Sequence, residues 1–189
     1  MANVNENLLV RGARGNVGKQ FVYKKRGNNT TIARMPAINK DAVPTEKQAQ
    51  KRELFSDAAA YANGVINSAD LKAEYVKKLT PGQTAFNLAV RDFLKPPVVK
   101  KIDATNYKGT TGSVIVVNAK DDFRVASVLV SIHSAAGVLL EQGNAVLDPI
   151  KRSLWNYTAT QNNAAVTGSV IGATATDLPG NTGSLEITL

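Results

Sequence analysis

The chain has 189 residues, of which 43% are hydrophobic and 20% are charged. This composition is typical of a folded globular protein and argues against wholesale disorder. Cysteine is absent and His133 is the single histidine. Disulfide frameworks, thiolate zinc sites, cysteine nucleophiles and two-histidine metal sites are therefore excluded.

The positive charge is concentrated in the first half of the sequence. The net charge is +8, with 17 basic and 8 acidic residues in 1–100 against 6 and 7 in 101–189. Such a step suggests two units with different roles. A basic region can bind nucleic acid, an anionic surface or an acidic protein.

No targeting or membrane segment is recognisable in the sequence. The N-terminus lacks the apolar run of a secretory signal, and no stretch approaches the roughly 20 apolar residues of a membrane helix. We therefore expect synthesis in the cytoplasm without a signal peptide and no membrane partner. A final location in a virion or extracellular particle stays compatible with this expectation.

Three short strands are predicted near the N-terminus, over residues 8–11, 20–24 and 31–34. The second alternates in polarity, and a turn-forming Arg-Gly-Asn-Asn sequence separates it from the third. Three strands without a second layer bury too little surface to be stable alone. We expect them to pack on the following helices or on another chain.

Three helices are predicted next, after a linker over residues 36–44. They begin at Thr45, Ser68 and Thr80, and each threonine is followed three residues later by glutamine, which is capping-box spacing. Apolar residues continue at helical spacing, and the two prolines at 96–97 end the third helix.

After these prolines the hydrophobic period falls to two. Val128, Val130 and Ile132 form one strand face, and Trp155 is the expected core anchor. About seven strands are predicted over 99–105, 113–119, 125–134, 138–146, 153–160, 168–176 and 183–189. Short strands at this spacing are typical of an antiparallel sandwich.

The sequence therefore predicts two domains. Residues 1–97 form a basic α+β attachment region, with a small antiparallel sheet plus helices. Residues 98–189 form an all-β sandwich.

The second half resembles the bacterial immunoglobulin-like domains of surface and phage proteins. The similar stretches are an Ala-Lys-Asp-Asp sequence at 119–122 before a Val-Ala-Ser-Val strand, Trp155-Asn-Tyr-Thr, and Ala-Thr-Asp-Leu-Pro-Gly-Asn-Thr at 175–182. The resemblance covers 99–189 and implies an immunoglobulin-like fold in an adhesive or spacer module without catalytic residues.

The first half is similar to uncharacterised proteins encoded by Bacteroidota and by their phages or prophages. The similar features are glycines at 12, 15 and 18, an Arg-Gly turn, and the sequence Pro-Thr-Glu-Lys-Gln-x-x-x-Arg-x-x-Phe over 44–55. This resemblance implies a phage-structural context and brings no catalytic residues.

Basic and aromatic residues interleave in the N-terminal region. Arginine and lysine can neutralise phosphates and aromatic rings can stack on bases, yet no recognised nucleic-acid motif accompanies them. Contact with an acidic partner chain, or plain solvation, fits these residues at least as well. The candidate contact residues are Arg11, Arg14, Lys19, Phe21, Tyr23, Lys24, Lys25, Arg26 and Arg34.

The segment from Gly12 to Lys19 departs from a phosphate-binding loop. Such a loop needs glycine at Ala13, serine or threonine at Gln20, and a helix next, whereas a strand is predicted here. We interpret the glycines as permitting an irregular strand or a close backbone contact.

Four oxygen-bearing residues could lie at one end of the sandwich, namely Asp121, Asp122, Asp177 and Asn181. Ca²⁺ takes six to eight oxygen ligands, so calcium is one possible cofactor for them. The alternative, which we favour, is that these side chains cap tight turns.

These features favour a non-catalytic structural subunit of a phage or phage-like assembly. The partners would be other copies of this chain, as a homo-oligomer, or other virion proteins. One alternative is a nucleic-acid-binding protein that uses the basic N-terminal region. A second alternative is a surface adhesion module, with Tyr107, Tyr157 and loop residues as suspected ligand contacts, although nothing in the sequence selects a ligand. No serine–histidine–aspartate arrangement or acid pair indicates an enzyme.

Overall fold

The computed structural model describes residues 2–37 and 42–189. The predicted linker over 36–44 lies in part outside these residues. Within them, the chain forms three helices and three four-stranded antiparallel sheets and is mostly β. Two compact units are present, one ending at Ala49 and the other beginning at Gln50. This division falls inside the first helix, whereas the predicted domain boundary between 97 and 98, which stays a prediction, falls after the third.

The first sheet is built from residues near the N-terminus and has the order β1-β4-β3-β2. Its strands are β1 Ala2–Asn3, β2 Gly15–Val17, β3 Phe21–Arg26 and β4 Asn29–Arg34. Strands β3 and β4 form a hairpin in which Arg26 pairs with Asn29. Gly27 has a φ of 59°, which suits the first central position of a tight hairpin turn. The predicted second and third strands are thus confirmed.

The predicted strand over residues 8–11 is wrong. These residues form turns, because the side chain and the backbone carbonyl of Asn7 each accept a hydrogen bond from an amide that follows. Its side-chain oxygen accepts a hydrogen bond from the Leu9 amide at 3.0 Å, and its carbonyl accepts one from the Arg11 amide at 2.9 Å. Asparagine side chains compete in this way with extended pairing. A strand forms instead at β2.

The three helices are α1 Glu46–Asn67, α2 Ala69–Val76 and α3 Ala85–Leu94. The capping box predicted at the start of α1 is confirmed. The Thr45 amide donates to Gln48 Oε1 at 3.0 Å, and the Gln48 amide donates to Thr45 Oγ1 at 3.4 Å. Ser68 is the N-cap residue of α2, but its side chain makes no capping hydrogen bond.

Helix α3 begins later than the sequence predicts. Thr80 is followed by Pro81 and Gly82, and Gly82 has a φ of 83°, so this segment forms a turn closed by a hydrogen bond from the Gln83 amide to the Thr80 carbonyl at 3.0 Å. The N-cap is Thr84, whose side chain accepts from the Asn87 amide at 3.2 Å. The helix ends before the two prolines, as predicted.

The other eight strands form two sheets, with the orders β5-β6-β10-β9 and β12-β11-β7-β8. Each of the seven predicted strands is present within a few residues, and β9 is an addition. The strands are β5 Val98–Asp103, β6 Val114–Lys120, β7 Val125–His133, β8 Leu139–Asn144, β9 Val146–Leu147, β10 Leu154–Thr158, β11 Val170–Asp177 and β12 Thr182–Thr188.

The two sheets share one hydrophobic core. It contains Trp155 and Val117 from one sheet and Val128, Val130 and Ile132 from the other, all buried. Alternate residues of these strands are buried, as the period of two requires. The predicted core anchor and strand face are therefore confirmed.

A second core joins the helices to the turns of the sheets. Phe123, from the β6–β7 turn, lies among the buried residues of α1, α2 and α3, with Leu178 packed against the cluster. The Phe123 ring stacks on Tyr75 with centroids 4.0 Å apart and an interplanar angle of 8°. Stacking of this kind adds to the free energy gained by burial.

Gly183 in β12 lies in close contact with the backbone of Pro97, and a Cβ there would collide with the Pro97 carbonyl oxygen. We predict that Gly183→Ala lowers the free energy of unfolding by about 1–3 kcal/mol, because backbone must move to admit the methyl group.

The matched control is Gly64→Ala in α1, where a Cβ meets no atom within 4 Å. It should raise the free energy of unfolding by about 0.5–1 kcal/mol through helix propensity. Urea unfolding measures both changes, and equal stability of the two variants would contradict the assigned contact.

Candidate partner interface

The N-terminal sheet has almost no buried residues. Among the described residues up to Ala49, only Thr30 is buried, at 1% exposure. Its amide and hydroxyl bond to the preceding loop, through the Asn5 side chain and the Gly12 amide. All buried apolar side chains of the described chain lie between Ala58 and Ala175. The sheet therefore lacks an apolar core of its own.

One face of this sheet is apolar. Residues directly opposite each other on antiparallel strands point to the same side, and the register pairs Val17 with Phe21, and Tyr23 with Ile32. Phe21 and Tyr23 alternate along β3, so these four side chains share one face. The two rings meet edge to face with centroids 6.0 Å apart. This face is half-buried to exposed.

The predicted contact residues are divided by the sheet. Arg34 pairs with Phe21 and Lys25 follows Tyr23 by two positions, so both cations lie on the apolar face. Lys24 lies on the opposite face. Both Lys25 and Arg34 are exposed, which leaves two cations next to two aromatic rings.

The remaining predicted contacts lie outside these faces. Arg11 and Arg14 are exposed in the loop before β2, and Lys19 is exposed in the β2–β3 turn with a φ of 57°. Arg26 ends β3, and its side chain is outside the described part. Lys19 and Arg34 also line a common surface cavity of about 580 Å³.

The glycine-spaced segment does not form a phosphate loop. Gly12, Gly15 and Gly18 all have positive φ, between 59° and 108°, a region that favours glycine. Strand β3 follows this segment, and no helix N-terminus is present to receive a phosphate. The irregular strand predicted here corresponds to β2.

Two of the four residues weighed as calcium ligands, Asp121 and Asp177, cap turns, and the third, Asn181, donates its side-chain amide to Asp177 and to the Phe93 carbonyl. Asp121 Oδ2 accepts from the Phe123 amide at 2.8 Å. Asp177 Oδ1 accepts from the Gly180 and Asn181 amides at 2.8 and 2.6 Å, and Asp177 Oδ2 accepts from Asn181 Nδ2 at 2.8 Å. These contacts are the ones that the turn interpretation requires.

The fourth residue, Asp122, forms ion pairs. Its carboxylate lies 3.3 Å from Arg91 Nε and 2.8 Å from Lys95 Nζ. Within residues 2–37 and 42–189, no group of three or more acidic, histidine or cysteine side chains is arranged to hold a metal ion. The described contacts thus offer no support for calcium.

A buried polar chain lies where the helices meet the β6–β7 turn, and the sequence did not reveal it. The hydroxyls of Tyr61 and Tyr75 are 3.0 Å apart, and Tyr75 donates to Asp92 Oδ2 at 2.5 Å. Tyr75 and Asp92 are fully buried. Nothing in the sequence indicates that Asp92 is buried, because a single aspartate within a helical pattern forms no recognisable motif.

The pKa of the Asp92 carboxyl group is raised well above its ordinary value. Burial raises the pKa of Asp92 to about 7, the Tyr75 hydrogen bond opposes this, and the nearby Asp121 and Asp177 carboxyls raise the pKa further. The Oδ1 atoms of Asp92 and Asp121 are both buried without another partner among the described residues. A proton on Asp92 that bonds to Asp121 accounts for both oxygens.

The prediction that Tyr107 and Tyr157 are ligand contacts of an adhesion module is wrong. Both side chains are buried in the core of the two sheets, at 6% and 4% exposure. Tyr157 donates to Glu141 Oε2 at 3.1 Å, and burial raises the pKa of Tyr157 to about 12. Tyr157 alternates with Trp155 along β10 and both belong to the core, which Tyr107 enters from the loop between β5 and β6.

The raised pKa of Asp92 predicts a pH-dependent stability. The folded carboxyl has a pKa of about 7 against 3.8 when solvated, so the native state binds more protons between these values. The free energy of unfolding should therefore fall as the pH rises from about 4 to about 7, by on the order of 2–4 kcal/mol. Urea unfolding at a series of pH values measures this.

The variant Asp92→Asn should remove this fall, since its amide donates to Asp121 at any pH. The matched control Asp57→Asn, at an exposed position of α1, should keep it. An unchanged pH dependence in Asp92→Asn would show that the proton resides elsewhere.

Comparison with known proteins gives no family for this chain. No protein-family model and no curated protein matches it. A solved structure of an engineered protein is similar over 42% of this chain, at 19% identity and a TM-score of 0.30, and the similar region spans 14% of that protein. None of the described helices is long and apolar enough to span a membrane.

Proposed function

We propose that the protein is a non-catalytic structural subunit of a phage or phage-like assembly. The N-terminal sheet attaches to neighbouring subunits, which are other copies of the chain or other virion proteins. The two sheets that follow form an immunoglobulin-like sandwich that projects from the assembly. In this proposal the protein is made in the cytoplasm and functions in the assembled particle.

The observation that carries this proposal is the incompletely covered apolar face of the N-terminal sheet. Phe21, Tyr23 and Ile32 are each only half-buried, and Val17 is 45% exposed. A sheet with one uncovered apolar face gains stability when a second surface removes that face from water. A neighbouring subunit would supply this surface.

Both edges of the sheet also offer backbone groups to a partner. Among the strands of residues 2–37 and 42–189, β2 pairs only with β3, and β1 pairs only with β4. Unpaired amides and carbonyls at such edges form hydrogen bonds with an added strand. Strand addition and burial of the apolar face would thus act together.

The second unit supports the projecting role. Its two antiparallel sheets share one core, which is the arrangement of a sandwich domain. The Ala-Lys-Asp-Asp and Ala-Thr-Asp-Leu-Pro-Gly-Asn-Thr stretches that resemble bacterial immunoglobulin-like domains lie at its turns. The proposal of a spacer or decoration module rests on that resemblance together with this architecture.

We predict that the purified chain forms defined oligomers and that deletion of residues 1–40 leaves a folded monomer. The deletion removes the uncovered sheet but keeps Thr45, which caps α1. Light scattering coupled to size-exclusion chromatography gives the mass, and circular dichroism checks the fold. A monomer at high concentration, unchanged by the deletion, would count against assembly.

Two matched double variants make the test specific to one face. Replacing Tyr23 and Ile32 by serine removes a cross-strand pair from the apolar face, and this variant should dissociate the oligomer. Replacing Val22 and Ala33 by serine removes the equivalent pair from the opposite face, and this variant should keep the oligomer.

A second candidate function is nucleic-acid binding, which one observation favours. Lys25 and Arg34 lie on the face that carries Phe21 and Tyr23, so phosphate contacts and base stacking could occur together. Binding by this face would be salt-dependent.

If this candidate is correct, single-stranded DNA or RNA should bind at low salt. The double variant Lys25→Glu and Arg34→Glu should lower the slope of log affinity against log salt by about 2. The control Lys24→Glu, on the opposite face, should bind as the native chain does. No retention at low salt would exclude nucleic acid as the partner.

A further inference from the structure

A basic groove lies in the second unit, between the end of α2, the β6–β7 turn and the loop before β10. Its volume is about 1060 Å³, which suits a ligand of drug size or a few residues of a peptide. Five cations line it, from all three segments: Lys77, Lys78, Lys120, Arg124 and Arg152. None of them belongs to the contact set predicted from the sequence.

The acidic residues of the groove are already engaged. Glu74 Oε2 lies 3.3 Å from the Arg124 guanidinium. Asp121 Oδ2 accepts from the Phe123 amide at 2.8 Å, and its Oδ1 is buried beside Asp92. These two carboxylates offset part of the charge of the five cations, which leaves the groove with an excess of positive charge.

Two of the five cations are held by the groove itself. Arg124 forms the ion pair with Glu74. Lys78 donates to the Phe123 carbonyl, and its ammonium group lies 4.5 Å from the centre of the Phe123 ring. The other three are exposed. Within the described part of the chain no ion pair engages Lys77, Lys120 or Arg152.

The walls of the groove are partly apolar. Val125 and Leu147 are half-buried there, and Trp155 lines the groove at 7% exposure. The Trp155 indole N–H has no acceptor in the described part of the chain, and a buried indole N–H usually has a partner. The groove thus joins aliphatic surface and free cations.

We propose that this groove binds an acidic peptide segment of a partner protein, with carboxylates on the cations and aliphatic side chains against Val125 and Leu147. Charge complementarity selects a polyanion. Nucleic acid is disfavoured because the rings of the groove, Phe123 and Trp155, are buried and cannot stack on bases. The groove lies in the second unit, so binding here is independent of assembly through the N-terminal sheet.

The test uses the full chain and a short synthetic peptide of glutamates and leucines. Trp155 is the only tryptophan, so its single indole N–H resonance and its fluorescence report on the groove directly. Both signals should shift and saturate as the peptide is added, and added salt should weaken the binding. The same peptide with glutamine in place of glutamate should bind at least about tenfold more weakly.

Charge reversal locates the binding in the groove. The triple variant Lys77→Glu, Lys120→Glu and Arg152→Glu should raise the Kd for the acidic peptide by at least about tenfold. The control Lys108→Glu, at an exposed lysine outside the groove, should leave the Kd unchanged. Urea unfolding checks that the triple variant folds, and Lys120→Glu alone replaces it if it does not.

Three results would overturn the proposal. The first is no shift of the indole signal at high peptide concentration, and the second is equal affinity for the glutamine peptide. The third is tighter binding of a short single-stranded oligonucleotide that the charge reversals abolish, since it would assign the groove to nucleic acid. Oligomers that persist while peptide binding fails would reject the groove alone and leave the assembly proposal standing.

Discussion

The central constraint of the structure is a small N-terminal sheet whose apolar face is only partly covered by its own chain. Four strands pair correctly near the N-terminus, yet only the polar Thr30 is buried among the described residues of that unit. Backbone pairing fixes the register of the strands but does not remove apolar surface from water. Phe21, Tyr23 and Ile32 stay partly exposed in the described chain, and the proposed attachment to a neighbouring subunit would bury them.

The apolar surfaces of the second unit, in contrast, are buried within the unit itself. Its two sheets cover each other, and its helices are joined to them through Phe123, which stacks on Tyr75. The buried Asp92 lies beside this contact, and its interaction with Asp121 joins α3 to the β6–β7 turn. This polar cluster and the basic groove are adjacent because Asp121 contributes to both. Lys77, Lys120 and Arg152 form no ion pair in the described part of the chain, so they can contact a partner.

The sequence predicted helices and strands correctly where hydrogen bonds between residues close in the chain determine them. The capping box at Thr45, the prolines after α3 and the period of two in the β-rich half each act over a few residues, and the structure has them. The errors arose where two local signals compete. The Asn7 side chain stabilises a turn over residues 8–11, which the pattern predicts as a strand. The positive φ of Gly82 places a turn after Thr80, where the capping-box spacing predicts the start of a helix.

Sites assembled from distant residues were not predictable in this way. The alternation along β3 showed which side chains share a face, but pairing with Arg34 needed the register. The buried Asp92 and the groove arise from α2, α3 and the β6–β7 turn, which no spacing in the sequence connects. The fold class also stayed coarser than the resemblance implied, because antiparallel pairing alone is common to many β-rich folds.

Hydrogen exchange of the β3 and β4 amides as a function of protein concentration tests the central claim most directly. If the N-terminal sheet needs a second polypeptide, its amides should exchange quickly at concentrations where the chain is monomeric and become protected as oligomers form, while β7 and β11 stay protected throughout. Equal protection of β3 and β4 in the monomer and the oligomer would contradict the account.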